Sequence, residues 1–395
     1  PKIHRFYLSH QASNTALAVT VAAIMNTSFI PAPMLEALAL AQQGLLRTSP
    51  NPRVGCVLVD VAGCVIGRGS TQRAGGPHAE IMALRDALAQ GHSTRGATAY
   101  VTLEPCAHQG RTGPCCDALA EAGIAKVVAS ITDPNPRVAG QGFARLRAAG
   151  VQVEVGPGAE AARELNLGFF SRMVRKTPWV RMKVAASLDG VTALPNGASQ
   201  WITSPEARRD GHAWRARACA VLTGIGTVLA DDPRLDVREV PTERQPALVL
   251  VDSALQVPLD ASIFIADRAL YIYTASQNDA KKQALEERGV QVITLPDAHG
   301  KVDLAAMLAD LALRAEVNEL HVEAGYKLNG SLLRAGLVDE LLVYLAPKLL
   351  GTGAGMAQLG ELTALAQAQE LEFKAQDRVG PDLRVLARIR GRDCF

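Results

Sequence analysis

Aromatic side chains are scarce, 4% of 395 residues, although 48% of the chain is hydrophobic. The core must therefore be aliphatic, built mainly from Ala, Val and Leu. Charge of one sign is lacking as well. The 41 basic and 39 acidic residues leave a formal net charge of +2. A protein that grips a nucleic-acid backbone shows a basic face or run. The nearest approach is Arg208, Arg209, Arg215 and Arg217, a cluster that suits one or two phosphates or a solvated helix face rather than a polymer. No apolar run reaches the ~18 residues that a membrane span needs. There is no internal repeat, no low-complexity tract, and no G-x-G-x-x-G fingerprint between a strand and a helix.

The seven cysteines, Cys56, Cys64, Cys106, Cys115, Cys116, Cys219 and Cys394, are odd in number and scattered. That argues against a disulfide framework and for a reducing, cytoplasmic compartment. Residues 16–25 (ALAVTVAAIM) follow Lys2 and Arg5 somewhat as a leader would, but the stretch is short and no A-x-A site follows it. Residues 1–30 are therefore read as a poorly ordered extension.

The length suits two domains of roughly 150–200 residues each. Helix-period and strand-period segments alternate from Pro33 onward, with connections long enough for crossovers, so the class is α/β. Helices are expected over Met34–Gln43, His78–Gln90, Cys115–Glu121, Pro205–Ala218 and Asp303–Ala315. Val54–Asp60 and Cys64–Arg68 form a hairpin. Later strands are Ala99–Leu103, Lys126–Ser130, Val151–Val155, Trp179–Ala185, Ala220–Thr223, Ala247–Asp252, Ala269–Thr274, Val290–Thr294, Glu319–Glu323 and Glu340–Leu345. A boundary near Arg172–Pro178 separates a domain over 31–175 from one over 176–395.

The residues that carry chemistry first are His78-Ala79-Glu80 and Pro105-Cys106, followed by Cys115. Each stands at the end of an element. Helix N-termini present free N–H groups and a positive dipole end, which favours the thiolate that a metal requires. One imidazole and two thiolates leave the fourth tetrahedral position of Zn²⁺ open, the mark of a catalytic rather than a structural site. Such an ion brings the pKa of water towards ~7. Glu80, two residues from His78, is the natural proton shuttle. The zinc-deaminase signature H-x-E…P-C-x-x-C is matched except at the second cysteine. Here eight residues separate Cys106 from Cys115. Buried thiols beside a surface His–Glu pair would be the plain alternative. A structural zinc would need a fourth ligand, His108 or Cys116, and adjacent Cys115 and Cys116 do not easily face one ion.

Pro50-Asn51-Pro52-Arg53-Val54-Gly55, the His78–Glu80 motif, Thr102–Cys116, Asp133-Pro134-Asn135-Pro136 and Val138-Ala139-Gly140 closely resemble the bifunctional riboflavin-biosynthesis deaminase/reductase family. The second half joins the resemblance through Lys183, Ser187–Gly190, Ser199–Ser204, Val228–Pro233, Val338–Leu341 and Ala346–Gly351. The resemblance covers roughly residues 31 to 395. It implies a cytidine-deaminase-like domain followed by a dihydrofolate-reductase-like domain, with Zn²⁺ and NADPH as cofactors. It implies phosphorylated pyrimidine substrates: deamination of 2,5-diamino-6-ribosylamino-4(3H)-pyrimidinone 5′-phosphate, then reduction of the ribosyl group to ribityl. The long intercysteine loop belongs to this family rather than to cytidine or tRNA-adenosine deaminases.

Arg111 and His108 in that loop could hold the ribose phosphate, since Arg offers a forked donor set; solvated loop residues are the alternative. Asn51 could read sugar or base, or serve as an Asn-Pro turn. Thr71 stands where members of the family often carry His. In the second half, Thr223–Thr227 and Glu323–Ser331 are glycine-rich segments that would let a backbone approach phosphate, though tight turns give the same pattern. By position, the resemblance places Ala185, Trp201, Thr227, Asp231, Ser253, Gly325, Tyr326, Lys327, Leu328, Asn329, Gly330 and Ser331 on NADPH. It places Ser199, Arg215, Leu235, Arg238 and Glu323 on the substrate, with Arg215 and Arg238 suited to its 5′-phosphate. Lys183 and Glu323 are the titratable candidates to assist ring opening. Neither nucleic acid nor membrane is expected as a partner, and the reductase domain is expected to pair into a homo-oligomer. A nucleic-acid or nucleoside zinc deaminase with an accessory domain, and an assembly protein with an inert zinc site, are the rival classes.

Overall fold

The computed structural model describes residues 30–108, 113–136 and 138–395. They form two compact units that divide between Lys176 and Thr177. The sequence expectation for residues 1–30 falls almost wholly outside the described residues.

The first unit holds a five-stranded sheet in the order β2-β1-β3-β4-β5. The strands are β1 (Gly55–Val59), β2 (Val65–Ser70), β3 (Thr98–Val101), β4 (Lys126–Ala129) and β5 (Gln152–Val155). β1 pairs antiparallel with β2 and with β3, and β3, β4 and β5 run parallel. Every residue of β1 is buried, because helices cover both sides of the sheet. Cys56 and Leu58 pack with α2 (Ala79–Ala89), α3 (Cys115–Glu121) and α4 (Gln141–Ala148). Val57 and Val59 pack with α1 (Ala32–Gln42) and α5 (Ala159–Leu165). Alternation of side chains across a strand thus feeds two separate aliphatic layers. Gly69 of β2 lies so close beneath α2 that a Cβ there would meet the carbonyl oxygen of Ala79 at 2.1 Å.

The second unit is built on nine strands in the order β10-β9-β8-β7-β11-β6-β12-β14-β13. They are β6 (Trp179–Ser187), β7 (Ala220–Gly224), β8 (Ala247–Val251), β9 (Leu270–Thr274), β10 (Gln291–Thr294), β11 (Glu319–Val322), β12 (Glu340–Ala346), β13 (Leu371–Val379) and β14 (Asp382–Ile389). The first seven in that spatial order are parallel; β14 and β13 close the sheet antiparallel. One face is apolar. Val180, Met182 and Val184 join Leu222, Val249, Leu320 and Val322 under α10 (Leu304–Arg314) and α11 (Tyr326–Arg334).

The opposite face is charged along its middle strands. Arg181 pairs in register with His321 and Glu340, and Arg181, Lys183 and Ala185 alternate with the apolar set. Helix α7 (Pro205–Arg217) covers this face. Glu319 accepts from Arg181 at 3.0 Å and from Arg217 at 2.8 Å, while Glu340 accepts from Arg181 at 2.6 Å and from Arg388 at 3.1 Å. All of these side chains are buried. Arg388 also donates to Asp393 at 2.6 Å, so three guanidinium groups meet three carboxylates.

The sequence reading located the elements before Gly156 and most of those in the second unit. It missed α5 and α6 (Leu167–Arg175), and it missed the β13–β14 hairpin. It also treated four arginines as one cluster. The structure splits them: Arg209 is exposed, Arg208 lies over the Trp201 ring, and Arg215 and Arg217 point inward into ion pairs.

Candidate active sites

His78 is the N-cap of α2, with extended backbone after the Gly75-Gly76-Pro77 loop. Glu80 lies in the first turn of the same helix, and its side chain is buried. Cys106 follows β3 in the loop after Pro105, and Cys115 opens α3 behind the N-cap Pro114. The fold therefore brings three element ends together. His78 Nδ1 lies 3.5 Å from Cys106 Sγ and 3.4 Å from Cys115 Sγ. The ligand atoms of the three residues all lie within 4.8 Å of one another, the one such group among the described residues. Zn–S of about 2.3 Å and Zn–N of about 2.0–2.1 Å at tetrahedral angles would set an N···S pair about 3.6 Å apart. The observed spacing fits that geometry. Cys116 does not join the cluster; its Sγ lies 3.5 Å from Asp117 Oδ1, and the residue packs in the core.

The thiols act as a pair. Hydrogen bonding from Cys115 and from His78 pulls the Cys106 pKa down to about 4, and Cys115 is correspondingly held up. The Cys115 N–H also donates to Cys106 Sγ at 3.4 Å, the contact expected where a helix N-terminus faces a thiolate. Burial, reinforced by the Cys106 charge and opposed by His78, pushes Glu80 up to about 7. A carboxyl poised there can both take and return a proton at neutral pH.

Of the other residues that the sequence reading assigned to this unit, His108 is exposed and Asn51 is half-buried, its N–H donating to the Thr48 carbonyl at 2.9 Å. Arg111 lies outside the described residues. Thr71 is buried, and its N–H donates to Val54 O at 3.0 Å.

The second constellation forms where Glu323 leaves the carboxyl end of β11, with Lys183 of β6 and Arg215 of α7 beside it, near the point where strand order reverses in this open α/β sheet. Arg215 of α7 grips Glu323 with both prongs, Nε to Oε1 at 2.7 Å and Nη2 to Oε2 at 3.0 Å. Its remaining Nη1 donates to Asp236 O. Lys183 Nζ stands 4.0 Å from Glu323 Oε2. Burial alone would raise the Glu323 pKa, but Arg215 and Lys183 hold it well below the usual carboxylate range. Burial and Arg215 draw Lys183 down, against the pull of Glu323. The sequence reading gave Arg215 to a phosphate; in this structure one N–H on each of its three nitrogens donates to Glu323 or Asp236. Arg238 is exposed and pairs with Asp236 at 2.7 Å.

The two glycine-rich segments lie side by side, Gly224 against Leu328 and Gly325 beside Thr227. Tyr326 and Lys327 are exposed at the start of α11, whereas Asn329 and Gly330 turn inward. Asn329 Nδ2 donates to Met356 O at 3.0 Å, and Gly330 lies against the backbone of Gln358. Trp201 is 62% exposed under Arg208, at 4.4 Å from guanidinium to ring centre. Ala185, Ser199, Ser253 and Ser331 are half-buried and Asp231 is exposed; Leu235 is buried and has a left-handed backbone. Ser253 Oγ accepts from the Val302 N–H at 3.1 Å. Sequence reasoning missed His321, which is fully buried two residues before Glu323, its Nε2 3.5 Å from Glu323 Oε1. Its place on the same strand face as Glu323 was the available signal.

Comparison with known proteins covers both units. The family described as "Cytidine and deoxycytidylate deaminase zinc-binding region" matches residues 30–131, and "RibD C-terminal domain" matches residues 178–385. The riboflavin biosynthesis protein RibD of Escherichia coli is 46% identical over 362 residues, 89% of this chain and 96% of that protein. The RibD of Aquifex aeolicus is 42% identical over 89% of this chain and 96% of its own length. Among solved structures, Acinetobacter baumannii RibD aligns with a TM-score of 0.82 at 40% identity, over 90% of this chain and 97% of that one. A Thermotoga maritima protein titled as a diaminohydroxyphosphoribosylaminopyrimidine deaminase and 5-amino-6-(5-phosphoribosylamino)uracil reductase aligns at 0.80 with 32% identity, over 90% and 97%. Two halves matched in the same order, at this identity and over nearly the whole of each relative, place the chain in the RibD family, bifunctional deaminases and reductases of riboflavin biosynthesis that use Zn²⁺ and NADPH.

Proposed function

We propose that the unit over 31–175 deaminates 2,5-diamino-6-ribosylamino-4(3H)-pyrimidinone 5′-phosphate and that the unit over 176–395 reduces the ribosyl group of the product to ribityl. His78, Cys106 and Cys115 are the zinc ligands. When bound, the ion supplies Lewis acidity that makes water a nucleophile at neutral pH. Glu80 takes a proton from the attacking water and delivers it to the ring nitrogen. Glu80 then takes the remaining hydroxyl proton from the tetrahedral carbon and passes it to the exocyclic nitrogen, so that the carbon–nitrogen bond breaks, ammonia leaves and the carbonyl forms. The observation that carries this reading is the convergence of His78, Cys106 and Cys115 at three element ends, with the buried Glu80 carboxyl in the first turn of the helix that His78 caps. Asn51, His108 and Arg111 are assigned to the nucleotide at the pocket mouth.

In the second unit, NADPH supplies the hydride when bound. The segment Gly325–Ser331, with Ala185, Trp201, Thr227, Asp231 and Ser253, is assigned to orient the cofactor. Lys183, held beside Glu323, is assigned to protonate the ribose ring oxygen as the ring opens; Ser199, Arg215, Leu235, Arg238 and Glu323 are assigned to the substrate, with Arg215 and Arg238 on its 5′-phosphate. Glu323 and Arg215 fix Lys183 and each other. Two further assignments follow. The odd number and scatter of the cysteines in the sequence support a reducing cytoplasmic compartment. β13 is an end strand whose Phe373 is 65% exposed, which supports pairing of two copies through the reductase unit.

The deciding experiment is Glu80→Gln. Ammonia release is expected to fall by at least about a hundredfold, within the range of general acid–base catalysis, with zinc retained. NADPH oxidation on the deaminated nucleotide is expected to be unchanged. Undiminished ammonia release would refute the role of Glu80.

A further inference from the structure

Glu104 lies two residues before Cys106, and its side chain is buried. It makes no ion pair with a cation among the described residues. Its two oxygens instead accept four backbone N–H groups. Oε1 takes those of Gly142 at 2.9 Å and Phe143 at 3.3 Å. Oε2 takes those of Gly140 at 2.9 Å and Asp133 at 3.1 Å. The donors belong to the two ends of the loop between β4 and α4. Three of them cluster at the N-terminus of α4, where a carboxylate is favoured by free N–H groups and by the dipole.

Other contacts join the same two segments. The Glu104 N–H donates to Ile131 O at 2.9 Å. Gly142 is so close to the metal-ligand loop that a Cβ there would meet Pro105 O at 1.9 Å. Arg145 of α4 reaches back to Ala107 O at 2.7 Å and to Asp117 of α3 at 2.8 Å. The half-buried Asp133 carboxyl is close enough to Cys106 and His108 to feel their charges. The loop thus forms one wall beside the three-ligand cluster, and Glu104 is the group that closes both of its ends.

We propose that Glu104 is a positioning residue of the deaminase site, a carboxylate clamp that holds the Asp133 and Gly140–Phe143 ends of this loop against the metal-ligand loop. It touches neither metal ligand atoms nor substrate; it acts through the wall it fixes. The inference rests on the deaminase reading of the His78–Cys106–Cys115 cluster, which the Glu80→Gln experiment tests separately. A glutamine of the same shape cannot replace the carboxylate. Its amide NH₂ would face two N–H donors that an oxygen now serves, leaving buried donors unmatched.

The test is Glu104→Gln in the full chain. Zinc content, KM and kcat for ammonia release from the pyrimidine nucleotide, and NADPH oxidation by the second unit are compared with the parent. Zinc per chain and NADPH oxidation are expected to be unchanged. KM is expected to rise about ten- to a hundredfold, the scale of an ångström-sized misplacement, with a smaller change in kcat. Glu104→Asp, which keeps two oxygens, should recover part of the loss. Hydrogen exchange should show the Gly140, Gly142 and Phe143 amides losing protection, while those of Cys115 and Cys116 keep theirs. A KM within about twofold of the parent, persistent protection of the wall amides, or loss of zinc in place of a KM effect overturns the proposal. If Glu104→Gln does not fold, Gly142→Ala displaces the same wall against Pro105. The same KM rise with zinc retained is then expected, and an unchanged KM overturns it.

Discussion

Glu80, which is buried, and Glu323, which is 14% exposed, show how environment divides one residue type between two tasks. Burial next to the Cys106 thiolate pushes Glu80 up to about 7, whereas Arg215 and Lys183 hold Glu323 low despite its burial. The first can exchange a proton near neutrality; the second stays an anion and anchors cations. Two histidines near Glu323 are affected by the same surroundings. Burial, with help from nearby arginines, lowers His212 to about 4 and His321 to about 3. Their folded-state values lie below the unfolded value of ~6.5. As pH falls below ~6.5 the unfolded chain therefore takes up protons that the folded chain refuses, and stability is lost. The loss is about 1.4 kcal/mol per pH unit for each histidine. The Glu323 contribution, present above the unfolded carboxylate pKa, is lost only at lower pH. Urea melts of the reductase unit between pH 7 and pH 5 should show declining stability. His321→Leu, with no proton site, should remove about half of the slope. An equal slope in the variant would mean that His321 is not held neutral in the folded protein.

At the scale of elements, the deaminase site depends on where α2 begins. His78 caps that helix, Glu80 lies in its first turn, and Gly69 of β2 lets the helix rest on the strand backbone. Gly69→Ala would drive a methyl group into the Ala79 carbonyl. Overpacking of this kind costs about 1–3 kcal/mol. Here it should also displace His78, so weakened zinc retention in competition with a chelator is expected together with a lowered Tm. Zinc retention equal to the parent's would separate the strand contact from the site.

The ligand set was legible in sequence because His, Glu and Cys have specific metal and proton chemistry, and because Gly75-Gly76-Pro77 and Pro114 mark the element ends that hold them. The α/β alternation was legible where strands are apolar and short, as in β4 and β7. The β13–β14 hairpin was not, because β13 (LEFKAQDRV) mixes charged with apolar residues at an exposed edge. Nor was α6, whose Arg172 and Arg175 suggested a linker although Leu167, Phe169 and Phe170 are buried on its other side. The inward turn of Arg215 and the clamp at Glu104 were also hidden. Their partners lie 108 and 29–39 residues away, beyond any local pattern.

Taken as a whole, the molecule has two units, each with its own aliphatic cores and its own constellation of polar residues. The one three-ligand metal cluster among the described residues lies in the first unit. Removing zinc with a chelator should therefore stop ammonia release while leaving NADPH oxidation on the deaminated nucleotide intact. Loss of both activities would place metal dependence in the second unit as well. Assembly concerns the other end of the chain. β14 and β13 extend the reductase sheet, and no described strand pairs with the outer edge of β13. Leu371 and Phe373 of that strand are exposed at 40% and 65%. A long edge strand carrying apolar side chains is costly in water unless another surface covers it. A second copy of the chain, as proposed above, would meet that need with the same patch on both sides. Phe373→Glu would set like charges against each other across such a contact while leaving the buried core untouched. Light scattering should then show the parent as a multiple of the chain mass and the variant as a single chain, with ammonia release retained. A parent already at the mass of one chain would dismiss this edge as an interface between copies.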